Sequence, residues 1–259
     1  MSIITHLQTT TWFVKRPSLW PQYIHLLRRK LAVDFSTTEA SHREATSWCK
    51  RVAVDVSTAL GALTGDPKPL HLREAFAGWC AEADEAVRRC PAQMGGEGAT
   101  DLLYTLCERV QARRVLETGV AYGWSSFAIL CSLRNRADAR LESVDMPYIR
   151  QNWDRYVGCV VPDSLRAPWN IRRLADRQGI PKALDALGST DLVHYDSDKS
   201  FDGRMWAYPK LWGSLVPGGI FVSDDIDDNT AFGDFALNLP AEPIVLRWQS
   251  KYVGAIRKL

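Results

Sequence analysis

From Arg114 onward, short apolar segments alternate with stretches whose apolar residues recur at helical spacing. A short apolar segment is typical of a buried strand, and helical spacing of apolar residues is typical of a helix with one packed face. Strands joined by helices indicate parallel βαβ units with right-handed crossovers. We therefore expect an α/β fold, Rossmann-like and doubly wound, with a mostly parallel sheet. The predicted strands are 114–116, 141–145, 171–176, 190–196 and 220–223, and the predicted helices include 101–110, 125–133 and 203–215.

The C-terminal part of the pattern differs from a parallel repeat. Two apolar segments, 243–248 and 252–256, are separated only by the turn residues Gln249 and Ser250. So short a connection predicts a hairpin, because parallel strands need a long crossover. The last strand is therefore expected to run antiparallel and to close the sheet edge. Pro217-Gly-Gly219 predicts a turn before the strand at 220–223.

Residues 1–90 carry helical periodicity but no nucleotide-binding motif. Apolar residues recur at helical spacing over 19–33, 37–63 and 72–89, and Gly65-Asp-Pro-Lys-Pro69 interrupts them. We expect a helical cap or oligomerisation segment over 1–90, a catalytic-type domain over 91–259, and a homo-oligomer, most simply a dimer. The tryptophans of this segment are expected in the core or an interface; they are Trp12, Trp20, Trp48 and Trp79.

Charge and cysteine usage narrow the possible partners and compartment. The 259 residues include 32 basic and 30 acidic ones, and the net charge of +2 gives no support for binding nucleic acid or an anionic membrane. Six cysteines occur without a Cys-x-x-Cys pair or a nearby histidine cluster, which predicts reduced thiols rather than a zinc site. No signal peptide precedes the first helix and no apolar run approaches the roughly 18 residues that span a bilayer, so a cytoplasmic protein is expected.

The loop Gly119-Val-Ala-Tyr-Gly123 connects the first strand to the helix at 125–133. Glycines let the backbone approach a ligand, and a helix N-terminus offers unpaired N–H groups. The spacing differs from the Gly-x-Gly-x-x-Gly that a pyrophosphate requires. Glu117 before the loop disfavours phosphates and favours a cationic ligand such as S-adenosylmethionine, while Asp145 ends the next strand where ribose hydroxyls would donate to it. The alternative is an ordinary strand-turn-helix in another α/β domain.

The full set of expected cofactor contacts extends beyond this loop. A second glycine-rich loop, 90–98, is either a linker between cap and domain or a backbone cradle for the methionine carboxylate of the cofactor. Asp176 would meet the adenine. The expected contacts are Met94, Gly95, Glu117, Thr118, Gly119, Tyr122, Gly123, Ser125, Asp145, Met146 and Asp176.

Further acids follow the later strands: Asp196 and Asp198 after one, Asp224 and Asp225 after the next. Ligands bind beyond the carboxyl ends of the strands in open α/β sheets, so these acids should converge and repel one another. A hard divalent cation such as Mg²⁺ or Mn²⁺ would relieve the repulsion, with Asp196, Asp224 and Asp225 as ligands. The alternative is that one acid caps the next segment and another bonds to Lys199 or an arginine.

Two residues near these acids could accept a proton. His194 lies two positions before Asp196 on the same face, and a histidine inside an apolar strand is more often a hydrogen-bonded core residue. Asp198, beyond the strand end, is better placed to reach a substrate hydroxyl. The long connection 146–170 carries groups that stack on and bond to polyhydroxylated ligands, or else cover the sheet edge: Tyr148, Arg150, Trp153, Arg155, Tyr156, Arg166 and Trp169.

The segments 117–126, 144–145, 194–200 and 217–225 resemble the class I S-adenosylmethionine-dependent methyltransferases. More narrowly, they look like the bacterial O-methyltransferases that act on sugars of antibiotics and polysaccharides. The resemblance covers roughly residues 91–259 and implies Mg²⁺ ligation by Asp196, Asp224 and Asp225, with Asp198 as base. Lys199-Ser200 stands where the antibiotic-sugar enzymes often have Leu-Tyr, so the acceptor is less defined. Enzymes that methylate mannose units of bacterial polysaccharides are a further resemblance.

The expected function is methyl transfer from S-adenosylmethionine to a hydroxyl of a small-molecule or oligosaccharide acceptor. A divalent ion that holds neighbouring hydroxyls would lower their pKa and align one with the methyl carbon. One alternative is a metal-dependent O-methyltransferase of catechols or other phenols, since the same chemistry serves vicinal hydroxyls. An alternative of another class is a non-catalytic nucleotide-binding protein that retains the fold.

Overall fold

The structure, a computed structural model, describes residues 3–31, 39–149 and 152–259. One sheet contains β1 (Arg114–Thr118), β2 (Arg140–Val144), β3 (Trp169–Arg172), β4 (Thr190–Tyr195), β5 (Leu215–Ser223), β6 (Ile244–Trp248) and β7 (Lys251–Arg257). Their order is β3-β2-β1-β4-β5-β7-β6. The first five strands pair in parallel, and β7 is antiparallel to both β5 and β6. The predicted α/β fold with an antiparallel C-terminal hairpin is confirmed.

Helices lie on both faces of this sheet. They are α1 (Ile3–Val14), α2 (Trp20–Leu31), α3 (Glu39–Val52), α4 (Val56–Thr64), α5 (Leu72–Ala75), α6 (Ala77–Arg89), α7 (Thr100–Arg109), α8 (Trp124–Leu133), α9 (Asp176–Leu187), α10 (Phe201–Ser214) and α11 (Ala231–Ala236). One core, with Leu103 of α7 and Phe127 of α8, covers one face. A second core, with Ile180 of α9 and Tyr208 of α10, covers the other. The described helices are too short or too polar to cross a membrane.

The strand order creates a switch point between β1 and β4. The chain moves outward from β1 to β2 and β3, then returns to place β4 on the other side of β1. The loops that leave neighbouring strands on opposite sides of such a point diverge and open a crevice at the carboxyl ends. The amide of Asp196 donates to the carbonyl of Thr118 across this point at 3.0 Å. A ligand site is therefore expected where β1 and β4 end.

Two predicted boundaries are wrong in instructive ways. The third strand is 169–172 rather than 171–176, and Asp176 begins α9 instead of ending a strand. The turn at 217–219 lies inside β5: Leu215 pairs with Thr190 and Ile220 with Leu192, so the intervening residues bulge from the ladder. Gly218, with φ of 80°, donates from its amide to the Lys258 carbonyl. The glycines thus accommodate a bulge rather than a reversal of the chain.

The N-terminal helices pack in two ways. The stretch 37–63 with helical spacing contains two helices, α3 and α4, because Asp55 accepts from the amide of Thr58 and caps α4. Residues 32–38 lie outside the described ones. Leu60 and Leu63 of α4 join the core that α7 and α8 form. Farther out, Phe13 and Leu19 pack with Leu26, Met146 and Ile149. The pair α1 and α2 therefore rests on the connection after β2, while the division at residue 90 stays a prediction.

Candidate active site

A cavity of about 620 Å³ opens at the carboxyl ends of the parallel strands. That volume lies within the usual range for ligand pockets. Most of the expected site residues line it: Met94, Gly95, Gly119, Tyr122, Ser125, Asp145, Met146, Asp176, His194, Asp196, Asp198, Asp224 and Asp225. Glu117, Thr118 and Gly123 are not among its lining residues. The structure thus brings the glycine loop and the later acids to one cavity.

The loop from Gly119 to Gly123 is held in a conformation that requires its glycines. Gly119 has φ of 78°, and a Cβ built on it would lie 2.1 Å from the carbonyl oxygen of Asp196. Gly123 has φ of 93°, and its Cβ would lie 2.8 Å from the Cα of Gly158. The loop is therefore pressed between the end of β4 and the connection that follows β2. The hydroxyl of Tyr122 donates to the carbonyl of Ala92 at 2.5 Å and ties the second glycine-rich loop to the first.

Asp145 is fixed at the cavity wall by contacts from both sides. Its Oδ1 accepts from the amide of Val120 at 3.0 Å, and its Oδ2 pairs with the guanidinium of Arg173. Arg173 also pairs with Asp154, outside the cavity lining. Burial lowers the pKa of Arg173 to about 10, which leaves it charged at neutral pH. A carboxylate held in this orientation can accept hydrogen bonds from a pair of ligand hydroxyls.

Glu117 contacts the protein interior rather than the cavity. Its Oε2 accepts from the hydroxyls of Ser126 at 2.5 Å and Ser143 at 2.7 Å. Its Oε1 lies 3.8 Å from Nδ1 of His194, and the side chain is fully buried. The prediction that Glu117 attracts a cationic ligand rests on its place before the glycine loop. In the structure the cation beside this carboxylate is a histidine.

His194 lies between two carboxylates. Its Nε2 is 3.6 Å from Oδ1 of Asp224, on the side opposite Glu117. Burial lowers the pKa of His194, but the carboxylates of Asp224 and Glu117 outweigh burial and raise the pKa to about 10. The imidazole is then protonated at neutral pH and has no free lone pair with which to accept a proton.

The acids after β4 and β5 are paired with two lysines. Lys199 pairs with Asp225 and lies 3.3 Å from Oδ1 of Asp196; Lys251 lies 2.9 Å from Oδ1 of Asp225. Burial would raise the pKa of Asp225, but hydrogen bonds from both lysines lower it below its ordinary value. Burial, followed by the charge of Asp224, raises the pKa of Asp196 to about 6. Asp225 is thus the best compensated of these carboxylates.

The expected metal ligands do not fit a divalent ion in this arrangement. Asp196 and Asp225 both point at the ammonium of Lys199, so a cationic side chain already stands between them. Among the residues that the structure describes, no three His, Cys, Asp or Glu side chains form a group that could hold a metal ion. The arrangement corresponds to the alternative in which the acids bond to Lys199.

Asp198 lies at the cavity wall and also accepts hydrogen bonds from the N-cap residue of α10, Ser200. Its Oδ1 accepts from the amide of Ser200 at 3.1 Å and from the Ser200 hydroxyl at 2.7 Å. Ser200 in turn accepts from the amide of Gly203 and is the N-cap of the helix. The neighbouring Asp176 accepts from the Ser197 hydroxyl at 2.6 Å, and burial raises its pKa to about 6. The start of α10 therefore holds the Asp198 carboxylate in a defined orientation.

Several lining residues have no counterpart in the sequence-based predictions. The hairpin between β6 and β7 contributes Trp248, Gln249, Ser250, Lys251 and Val253, because β7 runs antiparallel to β5 and its first residue lies at the carboxyl edge. That position followed from the predicted antiparallel strand and was available from the sequence. The helical cap contributes two more from α2, for which no local motif exists. The residues from outside the hairpin include Gln22, Leu26, Arg177 and Trp206.

The connection 146–170 meets the cavity mainly through Tyr148 and Met146. The amides of Gly158 and Val160 donate to the carbonyls of Ala121 and Tyr122, so this segment braces the glycine loop from behind. The aromatic and arginine residues from 153 to 169 do not line the cavity, and Arg150 lies outside the described residues. The segment is chiefly a packing element.

Comparisons with known proteins agree with this geometry. Residues 116–226 match the family model described as a methyltransferase domain, whereas no curated protein sequence matches the chain. The O-methyltransferase TomG from Streptomyces achromogenes, solved in complex with SAM, has a TM-score of 0.56 and 18% identity, over 70% of this chain and 90% of that chain. An O-methyltransferase from Bacillus cereus in complex with SAH has a TM-score of 0.53 and 14% identity, over 81% of this chain and 100% of that chain. The SAH-bound methyltransferase PaMTH1 from Podospora anserina has a TM-score of 0.53 and 13% identity, over 88% of this chain and 99% of that chain.

The matched residues begin in β1, end just after β5, and include the glycine loop, Asp145 and the acids around Lys199. Residues 116–226 are therefore similar to a methyltransferase domain, and the chain shares the fold of these solved O-methyltransferases.

Proposed function

We propose that this protein transfers the methyl group of S-adenosylmethionine to a hydroxyl group of a carbohydrate acceptor. The observation that carries the proposal is the shared cavity. The glycine loop and Asp145 line one part of it, and Asp198 and Lys199 line another. Donor and acceptor would therefore meet at the switch point between β1 and β4.

The donor part of the site suits a nucleoside with positive charge. Asp145 offers a fixed carboxylate to the ribose hydroxyls, and the loop between β1 and α8 offers close backbone approach. Solved O-methyltransferases of the same fold were crystallised with SAM or SAH. When bound, S-adenosylmethionine supplies an electrophilic methyl carbon on a sulfonium.

The acceptor part combines charged side chains with indole rings. Trp206 and Trp248 line the cavity beside Lys199 and Lys251. Sugars present hydroxyls around an apolar ring face, so they suit sites that pair carboxylates and ammoniums with aromatic rings. These features favour a polyhydroxylated acceptor.

The proposed step is an in-line displacement. The acceptor oxygen bonds to the methyl carbon, the bond from that carbon to sulfur breaks, and S-adenosylhomocysteine leaves with the electron pair. Asp198 accepts the hydroxyl proton, an assistance that typically accelerates such reactions about 10²–10⁴-fold. The cap at the start of α10 orients its carboxylate for this role. The step includes no metal ion, because Lys199 stands between the expected ligands.

The test is a methyl-transfer screen with S-adenosylmethionine over mono- and oligosaccharides, with catechols and other phenols as a parallel set. Mass spectrometry would detect addition of one methyl group, and release of S-adenosylhomocysteine would be measured independently. We expect methylated sugar products. Methylation of phenols alone would overturn the acceptor class. Isothermal titration that shows binding of NAD in preference to S-adenosylmethionine would overturn the whole proposal.

A further inference from the structure

Strand order places a lysine on each side of Asp225. β5 lies between β4 and β7, and Asp225 follows β5 directly. Lys199 comes from the loop after β4, and Lys251 is the first residue of the antiparallel β7. The two strands that flank β5, parallel β4 and antiparallel β7, thus bring one ammonium each to the same carboxylate.

Both oxygens of Asp225 are occupied by these ammoniums. Lys251 lies 2.9 Å from Oδ1 and 3.1 Å from Oδ2, and Lys199 pairs with Oδ2. The Asp225 side chain is only 10% exposed, so its charge requires a partner. Lys199 reaches on to Oδ1 of Asp196 at 3.3 Å and links the acids of two strands.

The backbone around the pair is held by residues outside the cavity. Asp225 has φ of 51°, and its carbonyl accepts from the fully buried guanidinium of Arg204 at 2.8 Å. The carbonyl of Lys199 accepts from the side-chain amide of Asn229 at 2.8 Å. The Lys199 loop and the Asp225 loop are therefore fastened to each other independently of the ion pairs.

We propose that Lys199 and Lys251 are the resident cations of this acidic cluster, and that methyl transfer requires no divalent ion. They act as positioning residues: Lys199 spaces Asp196 from Asp225 at the cavity wall, and Lys251 neutralises the second oxygen of Asp225. A metal ion would have to displace Lys199 before it could bind both acids. That methyl transfer needs no divalent ion rests on the proposed function, whereas the role of the two lysines as cations rests on geometry alone.

The cation part is tested by direct metal binding. The full chain is titrated with MnCl₂ up to about 1 mM and followed by isothermal titration and by the electron paramagnetic resonance signal of free Mn²⁺. We expect no binding by the unaltered protein and binding by the double variant Lys199→Met/Lys251→Met, whose carboxylates lack a partner. The matched control is Lys68→Met/Lys182→Met, which removes two exposed lysines elsewhere and should bind nothing. Binding by the unaltered protein in the micromolar range would overturn the proposal.

A single-residue variant provides a second test in case the double variant does not fold. Lys199→Gln removes only the lysine that stands between Asp196 and Asp225, and it should give weaker Mn²⁺ binding than the double variant but more than the control; Mn²⁺ binding no stronger than that of the control would overturn the proposal. Turnover of the unaltered protein should change less than about twofold with EDTA; loss of turnover restored by Mg²⁺ would overturn the inference. If Mn²⁺ binds as expected but no methyl transfer is detected, the proposed function is contradicted and the assignment of the two lysines as cations stands.

Discussion

The Nδ1 atom of His194 lies 3.8 Å from the Oε1 atom of Glu117, and both side chains are buried. The two residues are register partners on β4 and β1, so their side chains share one face of the sheet. The other ring nitrogen of His194 faces Asp224 at 3.6 Å. One imidazolium therefore separates a carboxylate of the core from a carboxylate of the cavity, and without it the two acids would repel each other.

Replacement of His194 by Gln is expected to lower the free energy of unfolding by about 3–5 kcal/mol, because it leaves a buried carboxylate without its cation. Guanidinium unfolding measures the loss. Glu117→Gln in the same chain should recover part of it, with a coupling of at least about 0.5 kcal/mol. The control is His71→Gln, which removes a histidine 2.9 Å from Asp101 at an exposed position and should cost far less. Equal losses at His71 and His194 would contradict the ion-pair assignment.

Gly119→Ala is expected to abolish binding of S-adenosylmethionine and to destabilise the fold. The added methyl group would lie 2.1 Å from a backbone oxygen of Asp196, which cannot move without shifting the end of β4, and φ of 78° strains any L side chain. Isothermal titration and thermal unfolding check the two effects.

Gly96→Ala is the matched control for this substitution. Gly96 also lines the cavity, but a Cβ built on it meets no atom within 4 Å and its φ is not positive. Its affinity and stability should stay close to those of the unaltered protein. If the two variants behave alike, the close approach of the loop to β4 does not determine cofactor binding.

The sequence was sufficient for the order of elements because each signal is local. Hydrophobic periodicity located β1, β2, β4 and the hairpin, and the two glycines marked the loop whose backbone conformation they permit. The limits of β3 and β5 were missed because tertiary pairing decides them. Arg172 pairs with Val144 of β2, and the bulge in β5 depends on its partner β4.

For the site, too, local features were predictable from the sequence and contacts between distant segments were not. The acids that converge were identified because each follows a predicted strand. The sequence does not show which group neutralises each acid. One of the two lysines beside Asp225 is Lys251, which is distant from it in the sequence. The cation beside Glu117 is His194, which belongs to another strand. Repulsion among acids was correctly anticipated from sequence, whereas its compensation depends on contacts between distant segments.

Asp145→Asn is expected to weaken binding of S-adenosylmethionine at least about tenfold, equivalent to about 1.4 kcal/mol, because a neutral amide is a poorer acceptor for ribose hydroxyls. Isothermal titration measures the dissociation constant. Asp154→Asn is the control: Asp154 pairs with the same Arg173 but does not line the cavity, so affinity should stay within about twofold. A comparable loss in both variants would show that Arg173, rather than the Asp145 carboxylate, governs the cofactor site.

Asp198→Asn separates the two roles of that side chain. Asparagine keeps an oxygen that accepts from the Ser200 amide, so the start of α10 should be retained, but it cannot accept a proton. We expect kcat to fall about 10²–10⁴-fold, with the unfolding midpoint and the affinity for S-adenosylmethionine nearly unchanged. Asp202→Asn removes the same charge from an exposed position of α10 and should leave kcat unaltered. Because the hydrogen bond from the Ser200 amide survives in the Asp198 variant, an undiminished kcat would limit Asp198 to supporting the N-cap residue of α10 and require another proton acceptor in the cavity.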